Sequence, residues 1–168
     1  MLDLCRRRDT KSVVAVFRRA GPNDVTIIRN VTREAYAKWV PLIGREPKPM
    51  AADHAHAVMN HIIDIHERLG EAVGLVEVIP LEQHLLIESI AVLPAYQGQG
   101  IGKLLLVHAE NLASSLGLGE VRLYTNAAFA SNIAFYARRG YADFLHERLV
   151  DGGTAVHMKK EIMATPPK

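Results

Sequence analysis

Cysteine, aromatic side chains and net charge are all scarce in this chain of 168 residues. Its one cysteine, Cys5, excludes an internal disulfide. Twenty basic and eighteen acidic residues leave a formal charge of +2, too mild for a nucleic-acid binder. Aromatics make up 6% of the residues, and no basic stripe is interleaved with them. Arg6-Arg7-Arg8 reads as a solvated tail. No apolar run approaches the roughly 18 residues of a membrane span. Arg6-Arg7-Arg8-Asp9 interrupts the place where a signal peptide needs its apolar centre, so the expected location is the cytoplasm. The eight histidines fall on different expected elements with no H-E-x-x-H spacing, so no metal is expected. The G-x-S-x-G elbow of serine hydrolases is missing as well.

What is present suits one globular domain with a real core: 49% of the residues are hydrophobic and 23% charged. The expected domain covers residues 12–163, between an extension at 1–11 and a tail at 164–168. Strands are expected at Val13–Arg18, Ile62–Glu67, Ala72–Ile79, Leu85–Leu93 and Val121–Thr125. The last two strands, Ala142–Val150 and Thr154–Ile162, form a hairpin around Asp151-Gly152-Gly153. Helices are expected at Val25–Leu42, from Met50 or Ala51 to Asn60, at Lys103–Leu116 after the glycine-rich turn and at Ala130–Arg139. The third has an apolar face of Ile101, Leu104, Leu105, Ala109, Leu112 and Leu116, and Gly117 ends it. The order implies a mixed α/β sheet.

The most informative stretch is Gln97-Gly98-Gln99-Gly100-Ile101-Gly102, between an apolar strand and a helix. A glycine-rich turn there leaves backbone N–H groups uncovered and pointing one way, which makes an anion site. It is not a dinucleotide fingerprint: counted from Gly98 the third glycine position is Lys103, and counted from Gly100 it is Leu105. Nor is it a Walker A loop, because Leu104 follows Gly102-Lys103 where a hydroxyl is required.

The pattern Q-x-x-G-x-G resembles the pyrophosphate loop of the GCN5-related N-acetyltransferase (GNAT) family, which binds acetyl-CoA. Ile90-Ala91-Val92-Leu93-Pro94 is similar to that family's fourth strand. Asn132-Ile133-Ala134-Phe135-Tyr136-Ala137-Arg138-Arg139-Gly140-Tyr141 is similar to its last motif, at the family's spacing from the loop. The resemblance implies a mostly antiparallel sheet flanked by helices, with the fourth and fifth strands splayed to admit the cofactor.

It also implies roles. Gln97, Gly98, Gln99, Gly100, Ile101, Gly102 and Lys103 would hold the pyrophosphate. The backbone of Ile90, Ala91 and Val92 would pair with the pantetheine arm, and Val92 N–H would polarise the thioester. Lys103, Arg138 and Arg139 either meet further phosphates or are plain helix surface. Tyr136 falls on the position of the family's tyrosine beside the CoA sulfur. A tyrosine pKa of about 10 against a thiol near about 8.5 makes full proton transfer uphill by about 2 kcal/mol, so Tyr136 would act first as a hydrogen-bond donor.

A lysine-like amine, with pKa about 10.4, costs roughly 4 kcal/mol to neutralise near pH 7.4, so an alkylamine acceptor calls for a base. Glu88, the only charge in the apolar strand run, is the first candidate, acting directly or through a water; Glu77 is the second. The glutamate that some family members carry on the fifth strand is missing from Val121–Thr125. The family's cofactor-touching asparagine position is Phe129 here, with Asn126 and Asn132 on either side and Asn132 ranked first. Tyr36, Trp39 and Val40 either line the acceptor side or belong to the core. The expected activity is direct acetyl transfer, in a ternary complex, to the amine of a small molecule or amino acid. Alternatives are a protein N-terminal or lysine acetyltransferase, an enzyme of longer acyl-CoAs, and a non-catalytic acyl-CoA-binding module. No nucleic-acid or membrane partner is expected, and homodimers are frequent in the family.

Overall fold

A computed structural model describes residues 15–165; Cys5, the arginine run and the extension at 1–11 lie outside them. Seven strands form one sheet: β1 Val16–Arg19, β2 Ile62–Arg68, β3 Glu71–Pro80, β4 Leu85–Val92, β5 Glu120–Asn126, β6 Ala142–Arg148 and β7 Thr154–Glu161. Their order is β1-β2-β3-β4-β5-β7-β6. Every pairing is antiparallel except β4 with β5, which the intervening helix joins as a parallel crossover. β4 shows why its run reads as a strand: Leu85, Ile87, Ser89 and Ala91 are buried and the residues between them are half-buried.

Five helices cover the sheet: α1 Val25–Tyr36, α2 Val40–Ile43, α3 His54–Asn60, α4 Ile101–Ser115 and α5 Ala130–Ala137. On one face α1 and α3 bury Ile28, Val31, Ala35 and Ala57 against Ile63, Ile65, Leu75 and Ala91. On the other, α4 buries Ile101, Leu105, Leu106, Ala109 and Ala113 against Val76, Val78, Ile87, Val121 and Leu123.

Several boundaries differ from expectation. The first helix stops at Tyr36 rather than Leu42; a 3₁₀ turn at Ala37–Trp39 and the short α2 follow. Pro41 explains it: with no N–H to give, it is tolerated only in the first turn of a new helix. The second helix starts at His54, because Asp53 accepts the His56 amide at 2.9 Å as its N-cap, while Lys48–Ala51 is a separate 3₁₀ turn. Leu116 of the expected apolar face is 47% exposed, and Leu106 and Ala113 are buried instead. β6 ends at Arg148, and of the expected first strand Val13 and Val14 lie outside the described residues.

Candidate active site

The sheet opens where β4 meets β5. Their register holds at Leu85, Leu86 and Ile87 opposite Val121, Arg122 and Leu123, and no further. A bulge in the β3–β4 register helps. Glu77 pairs with Ser89 and Val78 with Ile87, which leaves Glu88 as the extra residue of β4. A bulged strand bends and twists away from its neighbour. The gap leads into a cavity of about 680 Å³, walled by β4 and β5, the end of α2 with the segment that follows it to Pro49, α5 and the β6–β7 loop. An Arg45–Asp151 ion pair joins that segment to the loop.

The alternation of backbone groups along β4 decides what the gap can bind. Leu93 N–H donates to Val73 in β3 at 2.9 Å, so odd-numbered Ala91 also turns its backbone toward β3. Val92 N–H therefore faces the gap. The carbonyls of Ile90 and Val92 face the same way, and both already accept hydrogen bonds. Tyr36 Oη donates to Ile90 O at 3.1 Å and Gln97 Nε2 to Val92 O at 2.9 Å. With both carbonyls already engaged, the N–H groups of Ile90 and Val92 are the donors this edge offers a carbonyl oxygen. Ala91 offers the gap no polar group.

The glycine loop ends at α4. Gly100 is its N-cap in the left-handed region, φ 82°, with no side-chain cap. Leu104 N–H makes a helix bond to Gly100 O at 3.0 Å, so the N–H groups of Ile101, Gly102 and Lys103 precede the hydrogen-bonded helix. Gly98, at φ 76°, and Gly100 have no heavy atom within 4 Å of a built Cβ, so the surface above them is open. Aligned donors at a helix start form an anion cradle, and a pyrophosphate fits that chemistry. The two glutamines brace the loop: Gln97 also accepts from Lys38 at 3.1 Å, and Gln99 accepts from Arg68 at 2.9 Å. Lys103 is exposed on the first turn of α4. Arg138 is exposed as well, whereas Arg139 lies 3.7 Å over the Phe135 ring and donates to Phe135 O.

Tyr136 and Asn132, four residues apart on α5, both line the cavity. The Gly140-Tyr141 pair holds that helix end in place. Gly140, at φ 90°, lets Tyr141 N–H bond Tyr136 O at 3.2 Å while its own N–H bonds Ala137 O, a Schellman cap. Tyr141 is 3% exposed, and its hydroxyl donates to Glu110. Burial pushes the Tyr136 phenol above its ordinary pKa, so it is protonated at neutral pH. Asn126 also lines the cavity, but its Oδ1 already accepts from Ala128 N–H at 2.9 Å.

Glu88 lines the cavity opposite β5, where Tyr124 donates to its Oε1 at 2.7 Å. Lys48 Nζ lies 3.0 Å from Tyr124 Oη and 3.2 Å from Glu88 Oε1. Burial raises the Tyr124 pKa to about 12, helped by Glu88 and opposed by Lys48, so the phenol keeps its proton. The hydrogen bond to Tyr124 raises Lys48, against a burial effect that lowers it, and the lysine stays charged. Neither Lys48 nor Tyr124 stands out in the sequence; the missing fifth-strand glutamate is the nearest signal, since Tyr124 reaches Glu88 from that strand.

Glu77, the second candidate base, lies outside this cavity; it is buried and bonded to His61. Of the acceptor-side aromatics Tyr36 lines the cavity, while Trp39 stacks on Phe129 at 4.2 Å and supports the wall from behind. Among the described residues no group of histidines, cysteines and carboxylates is arranged to hold a metal, and no helix is long and apolar enough to cross a membrane.

Comparisons with known proteins identify the family and the fold. The family model described as Acetyltransferase (GNAT) family matches residues 28–141. The aminoalkylphosphonate N-acetyltransferase of Salmonella typhimurium is 31% identical over 149 residues, which cover 82% of this chain and 92% of that protein. The streptothricin acetyltransferase of Streptomyces lavendulae is 40% identical over 60 residues, 36% of this chain and 32% of that one, so the match spans about a third of that relative. The PaiA N-acetyltransferase of Thermoplasma acidophilum, solved in complex with coenzyme A, shares the fold: the TM-score is 0.72 at 17% identity, over 88% of this chain and 98% of that one. The fold and these matches define an N-acetyltransferase. The chain belongs to the GNAT family.

Proposed function

We propose that this chain transfers the acetyl group of acetyl-CoA directly to a small primary amine held in the cavity between β4 and β5. The observation that carries the reading is that Tyr136 and Glu88 line one cavity where β4 parts from β5, and that β4 runs on through Val92 to the glycine loop and the start of α4. The cradle and the exposed Lys103 hold the pyrophosphate by charge-assisted hydrogen bonds of about 1.5–3 kcal/mol each. Bound acetyl-CoA supplies an activated acyl group and a thiolate leaving group.

The chain's own residues do the rest. Val92 N–H donates to the thioester carbonyl oxygen, as in an oxyanion hole. Tyr136 donates to the departing sulfur. Asn132, one turn before it, steadies the cofactor. Glu88 takes the amine's proton, directly or through a water, while Tyr124 and Lys48 fix its carboxylate. The Arg45–Asp151 pair, which ties two walls of the cavity together, supports a small acceptor over a peptide terminus, and so does the relative named for aminoalkylphosphonates.

The test is release of CoA thiol from acetyl-CoA across a panel of 2-aminoethylphosphonate, free amino acids, alkylamines and short peptides. At least one small amine should turn over, with Tyr136→Phe slowed about 100-fold in kcat at unchanged KM. Turnover of peptides alone would overturn the small-amine reading. No turnover of any amine would overturn catalysis.

A further inference from the structure

A second cavity of about 360 Å³ lies behind the first, and Lys48, Pro49, Glu88 and Ser89 line both. Its far wall is polar: Thr32, His54, His56, His61 and Glu77, with Asp53 beside a mouth formed by exposed Ala51, Ala52 and His56. His61 Nδ1 lies 2.5 Å from Glu77 Oε1, and Glu77 pairs across the sheet with Ser89, the neighbour of Glu88. His54 is 3% exposed, yet neither of its ring nitrogens has a hydrogen-bond partner among the described residues. A cavity of this size has room for several waters at about 30 Å³ each, with Glu77, His61 and Ser89 as hydrogen-bonding partners along it.

Acetylation of a protonated amine releases one proton overall. R–NH3⁺ and the thioester give the amide, the free thiol and H⁺: the C–N bond forms, the C–S bond breaks, and one amine proton ends on sulfur. The other must leave through Glu88 while cofactor and acceptor fill the first cavity. We infer that the second cavity is the exit for that proton, a water-filled path from Glu88 past Ser89 to the Glu77–His61 pair and out beside His56. This inference rests on the acetyltransferase reading. Glu77 and His61 touch no substrate and are relay residues. The ionisable groups bearing on the path are Glu77, Asp53 and Arg29 around His54, and Lys48 at the Glu88 end.

The test compares wild type with Glu77→Gln and with His61→Asn, the latter at a partly exposed site. The acceptor is the best amine of the CoA-release panel, and both substrates are saturating. The expected result is a kcat about ten-fold lower in both variants with unchanged KM, a larger solvent deuterium isotope effect, and recovery on adding imidazole, whose small molecules carry protons in place of the relay. A kcat equal to wild type, or a loss in a folded variant that imidazole leaves untouched, overturns the exit path and leaves the acetyltransferase reading standing. A wild type inactive on every amine overturns both readings together.

Discussion

Gly100 offers a way to separate backbone strain from charge in the proposed cofactor cradle. A Cβ there meets nothing within 4 Å, so a substitution brings no clash. The cost to the fold is that of a left-handed residue at φ 82°, about 1–2 kcal/mol. Gly100→Ala carries that strain alone. Gly100→Glu carries the same strain and adds a carboxylate at the mouth of the cradle. At about 5 Å from a bound pyrophosphate, with an effective dielectric between about 20 and 80, the repulsion is about 1–3 kcal/mol per unit of anionic charge. Affinity should then fall about ten- to a hundred-fold below that of the alanine variant. Isothermal titration of acetyl-CoA into all three proteins, checked by thermal unfolding, measures it, and the gap between the variants should narrow at high salt. A glutamate variant that binds within two-fold of the alanine variant would refute the placement of the phosphates.

Three further results are expected. Tyr136→Phe should unfold within about 1 kcal/mol of wild type, because no hydrogen bond contributes to its raised pKa, so that its kinetic loss reports chemistry rather than misfolding. Gly74→Ala should lower stability by about 1–3 kcal/mol on thermal or urea unfolding, because the new methyl would sit 3.0 Å from Ala91 O and 3.2 Å from Leu105 Cδ1. The hydrogen bonds from Arg18, with help from Gly21 N–H, hold the Asp24 carboxyl below its ordinary pKa. A depressed folded value contributes stability at pH above the unfolded value of about 3.9 and loses it as pH falls through the folded value. Asp24→Asn should therefore be less stable at pH 7, and its deficit should vanish in acid; a deficit independent of pH would refute that account.

The strand-loop-helix around Gly100 was legible because its signals are local: alternation in Leu85–Val92, then glycines, then a helical stripe. Glu88 was legible for the same reason, as a lone charge in an apolar run. The break at Tyr36 was hidden, since one 3₁₀ turn and the short α2 continue the apolar spacing through Pro41 to Ile43. The cluster around Glu88 was hidden for a different reason. Lys48, Glu88 and Tyr124 meet only because β4 bulges and parts from β5, a tertiary event with no periodicity of its own. The capping of the Ile90 and Val92 carbonyls by Tyr36 and Gln97 likewise depends on where α1 ends and where the loop turns back. Asn132 could be ranked above Asn126 from sequence, but only the bond from Ala128 N–H shows that Asn126 is already engaged.

The short β4–β5 register also bears on the mechanics of the molecule. Among the described residues, strands β1 to β4 and strands β5, β7 and β6 are joined in the sheet only at Leu85–Ile87 and Val121–Leu123, with α4 lying across the seam. A molecule lodged in the gap touches both halves and acts as a strut between them. Since binding to the folded state alone adds stability of RT ln(1 + [L]/Kd), the strut should slow amide hydrogen exchange most in β5 and β7, the strands beyond the seam.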